Sequence, residues 1–311
     1  MTRRKQARRI KREKQQAKNP VLDWIEAFVW AAGMVLLANQ YLLQAYVIPS
    51  GSMINTLLIG DRIFVNKIIY GPELLPGLLK LPSPVKPARN DIIIFENPAY
   101  ISRGPVFDVA QRIIFMLTVS LVDIDRDELG RPRAHFLIKR AIGMGGDRFM
   151  MEKGEMKARF AGEDRWVNER EFDAQRGWKH EISRLMREEQ YPALESAGKA
   201  AAWQDLGLPV PERLQIAAAS VNNIRYPDRH ALEKARLETL RSALPHNRRY
   251  AEELARRYSL GWYVPEGRIL PLGDNRDNSQ DGRYFGPVRV TKVLGRGALI
   301  FWPFRRIGPI R

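Results

Sequence analysis

Two polar side chains, Ser52 and Lys139, are candidates for nucleophilic chemistry. Ser52 follows Ser50-Gly51, and the conformational freedom of Gly51 permits a tight turn that exposes the serine, although most serines beside glycine are simple turn residues. Lys139 follows the apolar residues 136–138, where a lysine ordinarily extends its ammonium into water. If apolar surroundings bury it instead, its pKa falls, and the neutral amine can take a proton from a serine hydroxyl. Such a Ser–Lys dyad needs no histidine.

A third segment, residues 273–283, reads G-D-N-R-D-N-S-Q-D-G-R. This composition is typical of a surface loop or a calcium loop, but the segment lacks the terminal Glu and the spacing of an EF-hand. Its alternating carboxylates and guanidiniums also suit a network of ion pairs that fixes a site.

The composition excludes several other chemistries. The chain has 311 residues and no cysteine, which excludes a disulfide scaffold, a thiol nucleophile, iron–sulfur clusters and cysteine zinc sites. Its 4 histidines are too scattered for an H-E-x-x-H metal site. Hydrophobic residues make up 45% of the chain, which is enough for a packed core. The net charge of +16 suits an anionic partner, either nucleic acid or lipid headgroups.

Half of that charge precedes a long apolar segment. Residues 1–19 contain nine basic side chains and one acid, whereas residues 27–48 contain no charged side chain. A helix of that length spans about 33 Å, enough for a hydrocarbon core of about 30 Å. We therefore predict a basic cytoplasmic tail at residues 1–20 and a transmembrane anchor at residues 21–48. The alternatives are a buried core helix, a tail that binds nucleic acid or ribosomes, and a signal peptide, which usually has a shorter apolar region and an A-x-A site.

The rest of the chain predicts a β-rich core interrupted by helices. The core is expected at residues 49–160 and 260–311, and a helical insertion at residues 161–259, where charged residues recur with helical spacing. Apolar runs bounded by Gly, Pro and Asn predict strands at Arg62–Tyr70, Ile92–Phe95, His135–Ile142, Arg148–Met151, Met156–Phe160, Arg268–Leu272 and Lys292–Trp302. The apolar run Ile113–Val122 is too short to cross a bilayer, and predicts a core element or a piece in the membrane interface.

Together, three segments resemble the type I signal peptidases, which are membrane-bound serine proteases with a Ser–Lys dyad. Residues Tyr46–Leu57 resemble the box that carries the nucleophile, Lys139–Asp147 the lysine box, and Gly273–Gly286 the last box. Gly60-Asp61 and residues 90–95 fit weaker intermediate boxes. The order of the boxes and the preceding anchor also agree with this family.

The resemblance implies that Ser52 is the nucleophile and Lys139 the general base. Ser50 would donate its hydroxyl to the oxyanion beside the amide of Ser52, and Ser279 would hydrogen-bond and orient Lys139. The resemblance further implies supporting ion pairs, Asp274 with Arg140 and Asp281 with Arg283, and small substrate pockets lined by Tyr46, Ile48, Met53, Leu57 and Ile138.

The implied fold is a mainly β catalytic core with one N-terminal transmembrane helix and a helix-rich insertion. The implied activity is removal of signal peptides from exported preproteins after an A-x-A-like site, without metal or cofactor. The expected partners are signal peptides of secreted preproteins and membrane lipid, and no nucleic acid. The protein would cross the inner (cytoplasmic) membrane once, with its N-terminus in the cytoplasm and its catalytic domain on the outer face. Ile113–Val122 must then not span the membrane, and we expect it to rest on the outer leaflet.

Three positions depart from the family pattern. Asn55 and Gly145 stand where the family has proline, and Gly282 where it has serine. The two missing prolines are expected to loosen the turns that hold Ser52 and Lys139. The main alternative is therefore a catalytically weak, membrane-tethered protein that binds signal peptides.

A self-cleaving repressor would need a DNA-binding domain, and no helix-turn-helix precedes Ser52. A nucleic-acid-binding protein would spread its charge over a folded face.

Overall fold

The structure is a computed structural model that describes residues 20–75, 79–118, 122–130, 133–152, 154–184, 186–224, 227–259 and 261–310. The basic tail predicted at residues 1–20 therefore lies outside the described residues, apart from Pro20. Helix α1, Pro20–Tyr41, contains a 20-residue apolar span, Pro20–Asn39, with a mean hydropathy of 1.7, and within the span only Asn39 at its end is buried. An apolar helix that no core covers argues against the alternative of a buried core helix.

The predicted anchor at residues 21–48 is too long at its C-terminal end. Helix α1 stops at Tyr41, and the next residues form strand β1, Leu43–Val47, which pairs antiparallel with strand β2, Arg62–Asn66. A strand is favoured over a longer helix here because Gln44 accepts a hydrogen bond of 3.1 Å from the buried Nζ of Lys67. A continuing helix would lose this partner.

The main sheet is antiparallel throughout its described pairs. It runs in the order β1-β2-β13-β5-β6-β11-β12, with β14 added beside β13. Its further strands are β5 Ile92–Glu96, β6 Phe136–Gly143, β11 Arg268–Leu272, β12 Val288–Arg289, β13 Val293–Trp302 and β14 Gly308–Pro309. A separate two-stranded piece consists of β3 Glu73–Leu75 and β4 Leu79–Lys80.

The central strand β5 is apolar on both faces because both faces are covered. Ile92 and Ile94 belong to one core cluster, whereas Ile93 and Phe95 belong to another. The strand predicted over Arg62–Tyr70 ends early, at Asn66. The Oδ1 of Asn66 accepts a hydrogen bond of 3.0 Å from the amide of Ile68, which starts a short 3-10 turn instead of more strand.

A second sheet packs against the end of the first. Its order is β10-β7-β8-β9, from strands β7 Arg148–Glu152, β8 Glu155–Arg159, β9 Val167–Asn168 and β10 Trp262–Tyr263. Phe149 of this sheet lies in one buried cluster with Ile142, Leu270 and Leu272 of the main sheet. The two sheets therefore share a core, and the strands predicted at Arg148–Met151 and Met156–Phe160 pair antiparallel with each other.

Helices occupy most of the middle of the chain. They are α3 Glu169–Gln175, α4 Tyr191–Asp205, α5 Glu212–Val221, α6 Arg229–Ala243 and α7 Arg248–Leu254. Asn168, Asp228 and Asn247 begin three of them as side-chain N-caps. Helix α2, Pro105–Leu117, precedes this region, and the short α8, Gly282–Phe285, follows it. The expected fold class, a mainly β core with a helix-rich insertion and an N-terminal apolar helix, is confirmed. The division at residues 160 and 260 stays a prediction.

Candidate active site

Ser52 lies in a short 3-10 turn, Gly51–Met53, directly after strand β1, and is 7% exposed. Gly51 does not adopt a positive φ, so the expected conformational reason for this glycine is wrong. A Cβ there would lie 2.7 Å from Cδ1 of Ile54, so a larger residue would require the end of that side chain to move. The residue with left-handed backbone is Asn55, at φ 79°. Proline, whose ring fixes φ near about −65°, does not fit that backbone, so its absence does not indicate a looser turn.

Lys139 of strand β6 meets Ser52 across 87 residues of sequence. Its Nζ donates a hydrogen bond of 2.7 Å to the Oγ of Ser52, and the lysine is 4% exposed. Burial lowers the pKa of Lys139 to about 8, although Asp281 and Asp274 act in the opposite direction. Ser52 and Lys139 are thus in contact, and the lysine loses its proton more readily than an exposed lysine does.

The two serines expected to assist this pair lie in different settings. Ser50 is exposed, and its Oγ donates to the Oγ of Ser52 at 3.4 Å, so it borders the same turn on the solvent side. Ser279 is buried and makes no hydrogen bond to Lys139. Its side chain lies instead against the Cα of Gly273, where an added Cβ would collide with it. The orienting role expected for Ser279 stays a prediction.

The expected ion pair between Arg140 and Asp274 is present and completely buried. Nε of Arg140 donates to Oδ1 of Asp274 at 2.8 Å, and Nη2 donates to Oδ2 at 2.7 Å. Thr56 donates a further hydrogen bond of 2.6 Å to Oδ2, which joins the nucleophile turn to this pair. Burial alone would raise the pKa of Asp274, but the bonds from Arg140 lower it below its ordinary value. The carboxylate therefore stays ionised beside the lysine.

The second expected ion pair, Asp281 with Arg283, is also present. Nε of Arg283 lies 2.9 Å from Oδ1 of Asp281, and the amide of Gly273 donates to Oδ2 at 3.0 Å. Burial raises the pKa of Asp281, but the Arg283 guanidinium lowers it by more, so the pKa lies below its ordinary value and this carboxylate is ionised as well. The pair closes the loop of residues 273–281 at its base.

Asn275 is a structural member of the site for which no role was predicted. Its amide donates to the carbonyl of Ser52 at 3.0 Å, and its Nδ2 donates to the carbonyl of Gly51 at 2.9 Å. The residue is completely buried. Its place in the run 273–283, which resembles the last box, was a signal, but no local pattern identifies a partner more than 220 residues away.

The residues expected to line substrate pockets come together in one apolar cluster. Tyr46, Ile48, Met53 and Leu57 are buried in it, and Ile138 packs against it with part of its side chain exposed. Leu57 is fully buried within the cluster. The rings of Phe136 and Phe115 lie 6.0 Å and 6.4 Å from the ring of Tyr46. Because Phe115 belongs to helix α2, this helix also contacts the cluster.

One group in the described part of the chain has the composition of a metal site. The ligand atoms of Glu169, Asp173 and His180 lie within 4.8 Å of one another. However, Nη2 of Arg276 already donates to Glu169. Burial and the neighbouring Glu169 raise the pKa of Asp173 to about 7, and burial with the charge of Arg140 lowers the pKa of His180 to about 4. The contact with Arg276 and the raised pKa of Asp173 both reduce the negative charge that this cluster offers to a divalent cation. That the protein uses no metal or cofactor stays a prediction.

Comparisons with known proteins find relatives that match most of the chain. The profile of the family described as "Signal peptidase, peptidase S26" matches residues 21–302. Signal peptidase I of Haemophilus influenzae is 25% identical over 287 residues, which cover 90% of this chain and 69% of the relative. Signal peptidase I of Aquifex aeolicus is 25% identical over 277 residues, with 86% and 79% covered. That of Pseudomonas aeruginosa is 26% identical over 279 residues, with 89% and 68% covered.

Proposed function

This chain belongs to the signal peptidase family, peptidase S26, and is a membrane-anchored serine peptidase; we propose that it removes signal peptides from exported preproteins with Ser52 as nucleophile and Lys139 as general base. The single observation that carries the residue assignment is the 2.7 Å contact between Lys139 Nζ and Ser52 Oγ in a buried setting. A nucleophile and its general base must lie within hydrogen-bond distance of each other, and this contact meets that requirement.

The reaction follows from this contact. As the Oγ of Ser52 attacks the scissile carbonyl carbon, its proton passes to neutral Lys139. The resulting oxyanion accepts hydrogen bonds from the amide of Ser52 and the hydroxyl of Ser50. The lysine ammonium then protonates the leaving amine as the C–N bond breaks, which leaves an acyl ester on Ser52. Water, deprotonated by Lys139, hydrolyses this ester and restores the hydroxyl of Ser52.

The surrounding charges suit both protonation states of the lysine. Burial favours the neutral amine that starts the reaction. Asp281 and Asp274 raise the pKa of Lys139 and so stabilise the ammonium that forms during acylation. Because each carboxylate is itself paired with an arginine, neither takes the proton from the lysine.

Specificity for small residues would come from the apolar cluster beside the dyad. Its buried members leave little room for a large side chain, so alanine is selected at the positions that enter it. We propose that the cleavage site has an A-x-A-like pattern. Tyr46, Ile48 and Ile138 would contact the substrate, with Met53 and Leu57 packed behind them.

The proposed topology places the catalytic domain on the outer face of the cytoplasmic membrane, anchored by helix α1, with the basic tail in the cytoplasm. Helix α2 has 13 residues and spans about 20 Å, which is too short to cross. It begins before the predicted run Ile113–Val122 and ends within it, and residues 119–121 lie outside the described part. Exposed Val106, Val109 and Ile113 support the proposal that this helix rests on the outer leaflet.

The deciding experiment is cleavage of a preprotein with an A-x-A site by the full chain in detergent. The wild type is expected to cut after the last alanine, and Ser52→Ala and Lys139→Ala to lose at least about a thousandfold in rate. If the wild type is folded and binds the signal peptide but does not cut, the protein is the membrane-tethered binding protein. The close serine–lysine contact favours the enzyme.

A further inference from the structure

The middle of the chain contributes a segment that lies along the loop beside Ser52. We call residues 180–184 the strap and residues 273–278 the catalytic loop. The amide of Ser183 donates to the carbonyl of Asp274 at 2.8 Å, and the amide of Arg276 donates to the carbonyl of Ser183 at 3.2 Å. These two bonds form a parallel bridge at Asn275, so the strap holds the loop by its backbone.

A buried ion pair strengthens this attachment. Arg276 of the catalytic loop donates to Glu169 at the start of helix α3, and their side chains are 1% and 5% exposed. The other arm of the same guanidinium donates to the carbonyl of Gly273. Without Glu169, the buried guanidinium of Arg276 would lose the carboxylate to which it donates, an unfavourable state. Glu169 thus sets the position of the arginine that spans the loop.

Arg184 of the strap makes a second link. Its Nη2 lies 3.1 Å from Oδ1 of Asp277 in the catalytic loop and 3.4 Å from Oδ2 of Asp228. Asp228 is the N-cap of helix α6, so one guanidinium joins the helical region to the loop. The amide of Met186 donates to the other oxygen of Asp277 at 3.0 Å.

The catalytic loop in turn holds the nucleophile. Asn275 bonds the carbonyls of both Ser52 and Gly51, and it lies between the two residues that the strap bonds. The order of contacts therefore runs from Glu169 and the strap, through the catalytic loop, to Ser52. A displacement of about 1 Å at a reacting atom can lower a rate about a hundredfold.

We propose that the inserted region positions the nucleophile, with Glu169 and Arg184 as positioning residues for the peptidase reaction. The inference rests on the proposed function, since it concerns the same reaction. Neither residue touches the reacting atoms. Both act through the catalytic loop, and Asn275 is the residue through which their effect reaches Ser52.

The test uses the full chain in detergent and a preprotein with an A-x-A site. Glu169→Gln, Glu169→Asp and Arg184→Gln are compared with the control Asp205→Asn, which breaks the ion pair of Asp205 with Arg236 between helices α4 and α6. The folded fraction of each variant is measured from its tryptophan-fluorescence unfolding curve. kcat is then expressed per folded molecule, and KM is measured in the same series. This separates a loss of positioning from a loss of folded protein.

For Glu169→Gln and Arg184→Gln we expect kcat per folded molecule to fall about 10- to 100-fold, with KM within about 2-fold of the wild type. Glu169→Asp, which keeps the charge, should recover part of the loss, and Asp205→Asn should match the wild type. If both charge-removing variants keep kcat per folded molecule within about 3-fold of the wild type, the inference is wrong, even where they unfold more easily. If the wild type itself does not cut, the proposed function is wrong, and the inference that rests on it is wrong as well.

Discussion

A change of pH from 7 to 9 is expected to raise kcat/KM of the full chain about tenfold. The active form requires a neutral Lys139, and its pKa is about 8 because burial outweighs the two carboxylates that face it. By simple titration about 10% of the lysine is neutral at pH 7 and about 90% at pH 9. The profile of kcat/KM should therefore rise with a midpoint near the pKa of the free enzyme and level off above it.

The size of this effect follows from how strongly the site disfavours the charged form of Lys139. Lowering the pKa of Lys139 from 10.5 to about 8 corresponds to about 3 kcal/mol of disfavoured charge. The same shift affects stability, because the folded state binds fewer protons than the unfolded state between about pH 8 and pH 10.5. The free energy of unfolding of the wild type should rise with pH across that window, relative to Lys139→Met, which has no group to titrate there.

The assay is cleavage of a peptide that has an A-x-A site and no group that titrates between pH 6 and pH 10. Ser52→Ala and Lys139→Ala serve as controls and should show no rise. A midpoint above about 9.5 would mean that the lysine is solvated and charged, and a flat profile would mean that the rate does not follow the titration of Lys139; either result would refute the assignment of a buried base. Asp281→Asn tests the electrostatic part. It removes the carboxylate that raises the pKa of Lys139 most and leaves Arg283 unpaired, so the midpoint should fall.

Three further substitutions test the geometry of the site and its membrane contact. Gly273→Ala brings a Cβ against Ser279 and should lower activity at least about a hundredfold, whereas Gly308→Ala, with open space around it, should not change activity in the same cleavage assay. Asn55→Pro restores the residue usual in the family but conflicts with φ 79°, and should lower the free energy of unfolding by about 3 kcal/mol in a urea titration; an unchanged or higher value would contradict the backbone found here. Ile113→Glu, at an exposed apolar position of helix α2, should weaken vesicle binding of protein without residues 1–41; equal binding would exclude a contact of this helix with the leaflet.

Much of the fold could be predicted because its strands carry local signals. Ile92–Phe95 and Arg268–Leu272 are short apolar runs between turn residues, and both form strands almost within the expected bounds. The end of the anchor was harder to place, because residues 43–47 are as apolar as the helix before them. What makes them a strand is pairing with Arg62–Asn66, which a local pattern does not contain.

The dyad could be proposed because a resemblance connected two residues 87 positions apart. By themselves, Ser52 and Lys139 were a turn serine and a lysine at the end of an apolar run. The partner of Arg276 could not be proposed, because Glu169 lies 107 residues away in a region that matches no box. Asn55 shows the opposite error, since a departure from the family pattern suggested a loose turn although the backbone there requires a residue that accepts a positive φ.

The buried charges around the dyad explain why this site needs more than its two reacting residues. Three guanidiniums are buried here, each against its own carboxylate: Arg140 with Asp274, Arg276 with Glu169, and Arg283 with Asp281. A buried ion pair adds little net stability compared with well-packed apolar residues. Its value here is that each pair is nearly neutral, so the lysine experiences chiefly its own burial, and its pKa falls without the proton passing to a carboxylate.

Two of the pairs tie the catalytic loop to strands of the core or close the loop, and the third ties it to the inserted helices. Removing Asp274 or Asp281 would leave an unpaired guanidinium near Lys139, so the same change that loosens the loop would also lower the pKa of the base.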